Sequence, residues 1–422
     1  MEVFRKYPDK FSLFCLLAGL ITSQKISIVG QLYIIEVASI FFILLKNNKL
    51  KLFENFRYIL TILLFHLFLV AFSDFMNGNS LKSFLKGVVT YPLILLSVLM
   101  LYNIFYDKYL FYISFLVGFI LGNNFLNNFF SEFTVYFTSN IWKWGLGITI
   151  LNITLLCDEF NKQNKFTFKF TILFMSFISL ISLYYGARAL PLTIFYAMIL
   201  YFLQVKFNFL NFFNKKKNFF LLSFLIFILT FLIGLIPSKI DSFKHFEELN
   251  KKNMSQNSGT FGVVVMARSE WISVYHAFKD KFFYGHGSYP KDEDYYYSYK
   301  IAEFLYDNYY IDQIPNIESL SSNRVKLFNA EYQLIPAHSF LGYHIVSYGI
   351  FGSIIIYLLH FCISRIYISN INKLNFYYHI NFVLFLYNFY FSPWGASHRI
   401  AIELFIVALL LKQNDIKKII KI

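Results

Sequence analysis

Charged residues are scarce in this chain. They make up 15% of its 422 residues against 57% hydrophobic ones, and the mean hydropathy is positive, which excludes an ordinary soluble domain and predicts a polytopic membrane protein. Cysteine is scarcer still. Cys15, Cys157 and Cys362 all lie in apolar segments and form neither a metal-ligand spacing nor a disulfide framework, so they read as packing residues. The pattern of a cleavable leader is missing too. Residues 2–10 are charged, and the apolar run from Phe11 continues into further spans without a small-residue cleavage site, so the first span is expected to be the anchor itself. No internal repeat or low-complexity tract stands out beyond a general richness in Phe, Asn and Lys.

What is present is a succession of apolar runs of about 17 to 25 residues, which predicts an all-α integral membrane protein with about twelve transmembrane helices. They fall near 8–24, 27–45, 57–73, 86–105, 108–124, 141–157, 166–184, 189–205, 218–237, 337–363, 376–392 and 397–412. Gln24 and Lys25 interrupt the first apolar region, which reads as two spans or as one crossing with a re-entrant segment; charge bias favours two. Basic residues crowd every second connection, among them Arg5, Lys6 and Lys10; Lys46, Lys49, Lys51 and Arg57; Lys215, Lys216 and Lys217; and Lys417, Lys418 and Lys421. By the positive-inside rule these connections and both termini are cytoplasmic. The net charge of +14 therefore reports topology and anionic membrane lipid, not a nucleic-acid partner.

The same assignment divides the chain into transmembrane helices 1–9 over 1–237, a large outer loop over 238–336, and transmembrane helices 10–12 over 337–422. The loop carries Lys or Arg at eleven positions and Asp or Glu at thirteen, so it is slightly acidic while the cytoplasmic face holds the positive excess. Its length is far beyond that of an ordinary connection, which favours a functional element. Helices are expected at 241–253, 263–282 and 292–308, with a turn at Tyr284-Gly285-His286-Gly287. Asp292, Glu293 and Asp294 could suggest a cation site, but they are more simply an N-terminal charge cluster favoured by a helix dipole, and no metal is expected.

Against this topology a few polar residues become informative. Arg188 sits in a very short outer turn, Tyr184-Tyr185-Gly186-Ala187-Arg188, where a guanidinium near hydrocarbon costs about 2.5–3.5 kcal/mol unless it has a partner or snorkels to lipid phosphate. Arg268 lies in the loop on an expected helix, where it serves a ligand or merely faces solvent. Arg399 has Glu403 one turn below it, so an i,i+4 ion pair competes with a ligand contact. Glu36 is a carboxylate inside an apolar run, functional by default or paired with a neighbouring helix. His338 opens the apolar segment 340–362, and on an unbroken helix it would share one face with Gly342, Ile345, Gly349 and Gly352, a face that admits a second helix closely. Arginines present a donor fork suited to a lipid-linked diphosphate, and a neutral histidine could accept the proton of a sugar hydroxyl. Tyr295, Tyr296, Tyr297, Tyr299, Tyr306, Tyr309 and Tyr310 could stack on sugar faces or bury an amphipathic loop at the interface.

The run His338-Ser339, nine residues, Gly349-Ile350-Phe351-Gly352 resembles the signature of the bacterial O-antigen ligase and polysaccharide polymerase superfamily. Three shorter features match in order: Gly186-Ala187-Arg188, then Arg268 and Trp271 before Gly285 and Gly287, then Ser392, Pro393 and Arg399. The resemblance implies a GT-C-like glycosyltransferase of the bacterial inner membrane acting at the periplasmic face on undecaprenyl-diphosphate-linked oligosaccharide, without cofactor or metal. It implies His338 as base, Arg188 and Arg268 as diphosphate ligands with Arg399 a further one, and Gly349 and Gly352 as motif and packing glycines. Membrane lipid, with a chain-length regulator or the lipid A-core acceptor, is the partner class implied. The Tyr-Gly-Ala-Arg turn, His-Ser rather than His-Asn, and the Ser-Pro-Trp ending look slightly more like polymerases than ligases. A transporter of lipid-linked oligosaccharide is the alternative from another class, disfavoured by the large loop and the lack of visible paired halves.

Overall fold

A computed structural model describes residues 8–27, 31–46, 50–53, 56–126, 146–160, 168–184, 189–207, 269–308, 334–337, 339–371, 374–391 and 396–421. The described residues are mostly helical. Among the described residues, three helices are long and apolar enough to cross a membrane: α3 (Phe56–Met76), α4 (Leu81–Phe105) and α11 (Phe340–Asn370). Shorter apolar helices accompany them: α1 (Pro8–Thr22), α2 (Ile34–Leu45), α5 (Tyr109–Ile120), α6 (Gly147–Phe160), α7 (Phe168–Tyr184) and α8 (Ala189–Phe207). This is the make-up of a helical membrane protein. α12 (Phe376–Phe391) and α13 (Ala396–Lys421) complete the C-terminal part, and α9 (Glu270–Asp280) and α10 (Tyr296–Asp307) belong to the large loop.

The first apolar region is two helices. Between α1 and α2 a small antiparallel hairpin pairs β1 (Lys25–Ser27) with β2 (Gln31–Tyr33), matching Lys25 to Tyr33 and Ser27 to Gln31. Polar Ser23, Gln24 and Lys25 end α1 where the apolar run is interrupted. α2 starts at once because the Glu36 carboxylate reaches back to the Tyr33 amide at 2.7 Å, half of a capping box. α1 lies against α5 along a seam of small residues: a side chain at Gly118 would fall within 1.9 Å of the Leu16 carbonyl oxygen, and one at Gly19 within 2.1 Å of that of Phe115. Without a hydrophobic drive between helices in lipid, such close backbone approach is what holds them together.

α4 begins earlier than the apolar run indicates, because the Ser80 hydroxyl accepts the Ser83 amide hydrogen and caps it. In the large loop the helices differ from expectation at their described ends. α9 stops at Asp280, and the following residues turn through Gly285 and Gly287, both at positive φ. Asp294 and Tyr295 also have positive φ, so α10 starts only at Tyr296, after a single 3-10 turn. The Asp292 carboxylate accepts hydrogen bonds from the amides of Tyr297 (2.8 Å) and Ser298 (3.0 Å) and from the Ser298 hydroxyl (2.6 Å), so it caps this helix through the orphan donors of its first turn. The expected span at 218–237 and the expected helix at 241–253 lie outside the described residues.

α11 corrects one expectation. Its 31 residues would run about 46 Å as one helix, well beyond a hydrocarbon core of about 30 Å. It is broken at Gly349 (φ 62°, ψ −150°), leaving a short half over 340–348 and a membrane-length half over 350–370. The glycines of the motif therefore do not form one continuous helix face. α11 packs on α3 and α9, α13 on α4, and α2 on α4, so the ends of α3, α4, α11 and α13 gather with the loop at one end of the bundle.

Candidate functional site

The break in α11 is filled by backbone from the loop. In an unbroken helix the carbonyls of Val346 and Ser347 would accept amides one turn on. Here Val346 accepts the His286 amide and Ser347 the Gly287 amide, each at 2.8 Å, while the Ile350 amide donates to the Phe282 carbonyl at 2.8 Å. A helix break inside a membrane protein stands only where such groups find partners, and the loop supplies all three. The contact is made through glycine on both sides. A side chain at Gly285 would meet the backbone of Ser347, Tyr348 and Gly349 at 2.5–2.6 Å, and one at Gly349 the backbone of Phe282 and Phe283 at the same distances. The expected role of Gly349, admitting a second membrane helix, is thus replaced by the admission of a loop backbone.

The end of α3 clasps the same loop. The Ser73 hydroxyl lies within hydrogen-bond distance of the Tyr284 and Ser347 carbonyls, and Asn77 donates to the Gly285 carbonyl at 3.0 Å. Asp74 accepts from the Ser288 amide at 2.6 Å and from Asn79 at 2.7 Å. Lys281 donates to the Asn77 side-chain carbonyl at 2.5 Å. The short half of α11 is held at its start as well. The Ser339 hydroxyl accepts the Gly342 amide hydrogen at 2.7 Å as N-cap, the Ser273 hydroxyl donates to the Pro336 carbonyl, and the Ile335 amide to the Pro290 carbonyl at 3.0 Å.

Beneath this junction lies a buried polar group. His344 is fully buried; its Nδ1–H donates to the Phe340 carbonyl at 2.7 Å, which leaves Nε2 to accept from the Tyr91 hydroxyl of α4. His66 of α3 is fully buried against the Tyr91 ring, centroids 3.9 Å apart, and among the described residues neither of its nitrogens has a hydrogen-bond partner. Tyr348 connects this group to the loop through its hydroxyl and that of Ser288, 3.0 Å apart. Such groups in an apolar bundle are expensive to bury, and several of them are gathered at this end.

Arg399 also reaches this end. It is buried, and its Nε and Nη2 form a forked pair with the two oxygens of Glu36, Nη2 at 2.9 Å; Nη2 also donates to the Gln31 carbonyl at 3.1 Å. Its partner is therefore Glu36 of α2 rather than Glu403 one turn along α13, and two nitrogens of the fork expected to bind diphosphate are committed to the hairpin and α2. Breaking a buried pair of this kind by removing one partner costs about 3–5 kcal/mol. Tyr289 of the loop lies within electrostatic reach of Arg399; burial pushes its hydroxyl above the usual tyrosine range and the guanidinium opposes this.

Of the residues expected from sequence, Gly349 is the break itself, Gly352 follows it by three residues, and Arg399 is held by Glu36. His338, Arg188 and Arg268 lie outside the described residues, although the neighbours of His338 on both sides are fixed as above. Among the described residues no group of three or more His, Cys, Asp or Glu side chains could hold a metal ion. His66, Asp74, Tyr91 and His344 belong to no motif. Their signal was the one that marked Glu36, a polar or ionisable group within an apolar run. A comparison with known protein families, with curated proteins and with solved structures finds no match.

The loop contact should respond to acid. Burial holds His286 below the ordinary histidine value; the bond to the Ala277 carbonyl and nearby Asp280 work against this, and Lys281 adds to it. A base with a lowered folded value contributes its full stability above the unfolded value of about 6.5, and that contribution falls as pH drops below it. The thermal midpoint of purified protein should therefore decline from pH 7.5 to pH 5, and His286→Gln should flatten the decline. Identical pH profiles for the two proteins would remove His286 as the cause.

Proposed function

We propose that the chain is a membrane glycosyltransferase with a GT-C-like arrangement of about twelve spans. It acts at the periplasmic face of the bacterial inner membrane with both termini cytoplasmic, and it polymerises lipid-linked repeat units into a surface polysaccharide. An acceptor sugar hydroxyl attacks the anomeric carbon of the donor oligosaccharide, the bond to undecaprenyl diphosphate breaks, and His338 takes the hydroxyl proton. Arg188 and Arg268 hold the departing diphosphate, whose charge they match without a metal. The observation that carries this reading is the spacing from His338-Ser339 to Gly349-Ile350-Phe351-Gly352. Supporting it, Ser339 is the N-cap of the helix, Gly349 is its break, and the Gly285-His286-Gly287 turn is bonded to that break, so motif pieces distant in sequence share one junction.

A lipopolysaccharide gel of a deletion strain separates the outcomes. Loss of the ladder with a core-plus-one-repeat band retained supports polymerisation. Loss of every capped band means transfer to lipid A-core instead, and an unchanged profile ends the glycosyltransferase reading. Arg188→Lys should impair the ladder strongly in the complemented strain, because an ammonium keeps the charge but loses the bidentate fork. Wild-type ladders from both Arg188→Lys and Arg188→Ala, at normal protein levels, would reduce Arg188 to interfacial snorkelling.

A further inference from the structure

Glu403 is a second carboxyl group beside the Glu36–Arg399 pair, and nothing in the proposed reaction uses it. It is fully buried, as are Glu36 and Ser97. Among the described residues, neither of its oxygens has a hydrogen-bond partner. The groups around it come from four elements: Glu36 on α2, Ser97 on α4, Tyr112 on α5 and Arg399 on its own helix. The hydroxyl of Tyr112 donates to the Leu404 carbonyl at 2.8 Å, and that of Ser97 lies beside Glu403 outside hydrogen-bond geometry. Arg399 thus has two carboxyl groups near it, and its fork is committed to Glu36.

An ionised Glu403 would be an unpaired anion in a dry site, pressed against a second anion, which is among the costliest arrangements a protein interior can hold. A proton removes the difficulty at once. A protonated carboxyl becomes a donor, and the Glu36 carboxylate beside it is the acceptor.

We propose that Glu403 is a proton-binding site, carrying one resident proton that it donates toward Glu36 while Arg399 pairs with the Glu36 carboxylate. The proton decides which carboxyl group holds the arginine. With it, Arg399 stays on Glu36 and so seats the β1–β2 hairpin and the start of α2. Without it, Glu403 competes for the guanidinium from one turn away on the same helix. The site thus couples one proton to the anchoring of the hairpin and α2 on α13.

Infrared difference spectroscopy on the purified full chain at neutral pH tests this. The wild-type spectrum minus that of Glu403→Gln should contain the carbonyl stretch of a protonated carboxyl group and lack carboxylate bands. In Glu36→Gln, the carboxyl left to Arg399 is Glu403, so the protonated band should be lost and carboxylate bands should take its place, because an opposite charge in contact favours the ionised form. Carboxylate bands in the wild-type difference would overturn the proposal. Thermal midpoints give a second reading if Glu36→Gln does not fold: Glu403→Gln, a neutral isostere of the acid, should stay near wild type. A loss in Glu403→Gln as large as in Arg399→Gln would mean that Glu403 is an ionised partner of Arg399 and would overturn the proposal too.

Discussion

His338→Ala is expected to stop glycan transfer while leaving membrane insertion and donor binding largely intact. Removing a general base typically costs about 10²–10⁴-fold in rate. The donor's diphosphate, in the proposed reaction, is held by Arg188 and Arg268, so affinity for the lipid-linked donor should change little. The described residues on either side of position 338 are held by hydrogen bonds. Pro336 is bonded to Ser273, Ser339 caps α11, and the half-helix that follows is fixed through His344 to Tyr91. A purified-protein assay with lipid-linked donor and acceptor, run beside a donor-binding measurement, checks this. Activity within a few-fold of wild type would make His338 a capping or packing residue. Loss of donor binding along with turnover would move it into the diphosphate site.

Gly349→Ala should prevent assembly of the folded protein. Gly349 occupies a backbone region that only glycine enters readily, which alone costs another residue about 1–3 kcal/mol. The added methyl group would also stand 2.5 Å from the Phe282 carbonyl oxygen and 2.6 Å from the Phe283 carbonyl, both backbone atoms with little room to give. Moving that loop endangers the bonds from His286, Gly287 and Ile350, and each buried group left unpaired costs about 1–3 kcal/mol. Together these approach the whole stability of a typical protein, about 5–15 kcal/mol. Gly78 is the matched control. It also has positive φ (61°), but a side chain there meets nothing within 4 Å, so Gly78→Ala should cost only about 1–2 kcal/mol. Size-exclusion recovery and thermal midpoint of the two variants give the comparison, and equal behaviour would show that the break in α11 does not depend on the loop contact.

Apolar run length and the scarcity of charge were enough to read a helical membrane protein, because a helix in lipid must satisfy its own backbone and carry apolar side chains, both local properties. The interruption of the first apolar region also follows from local polarity, since Gln24 and Lys25 end one helix before Glu36 helps start the next. Glu36 was legible as an anomaly, a carboxylate where none is comfortable. Its partner was not: Arg399 lies 363 positions away, and Glu403, one turn from that arginine, looked as good. The motif marked Gly349 as special but implied a continuous face. A periodic pattern assumes an unbroken helix, and only the loop backbone packed against residues 346–350 reveals the break. His66, Tyr91 and His344 each look like isolated polar residues in apolar helices; they meet only because α3, α4 and α11 pack together. The sequence by itself determined the class of protein, most helix positions and the residue types available for chemistry. Which carboxylate neutralises which cation, and which backbone fills which break, were decided by the tertiary structure alone, because buried charges and unpaired backbone groups are satisfied by whatever the packing brings near, not by neighbours in the chain.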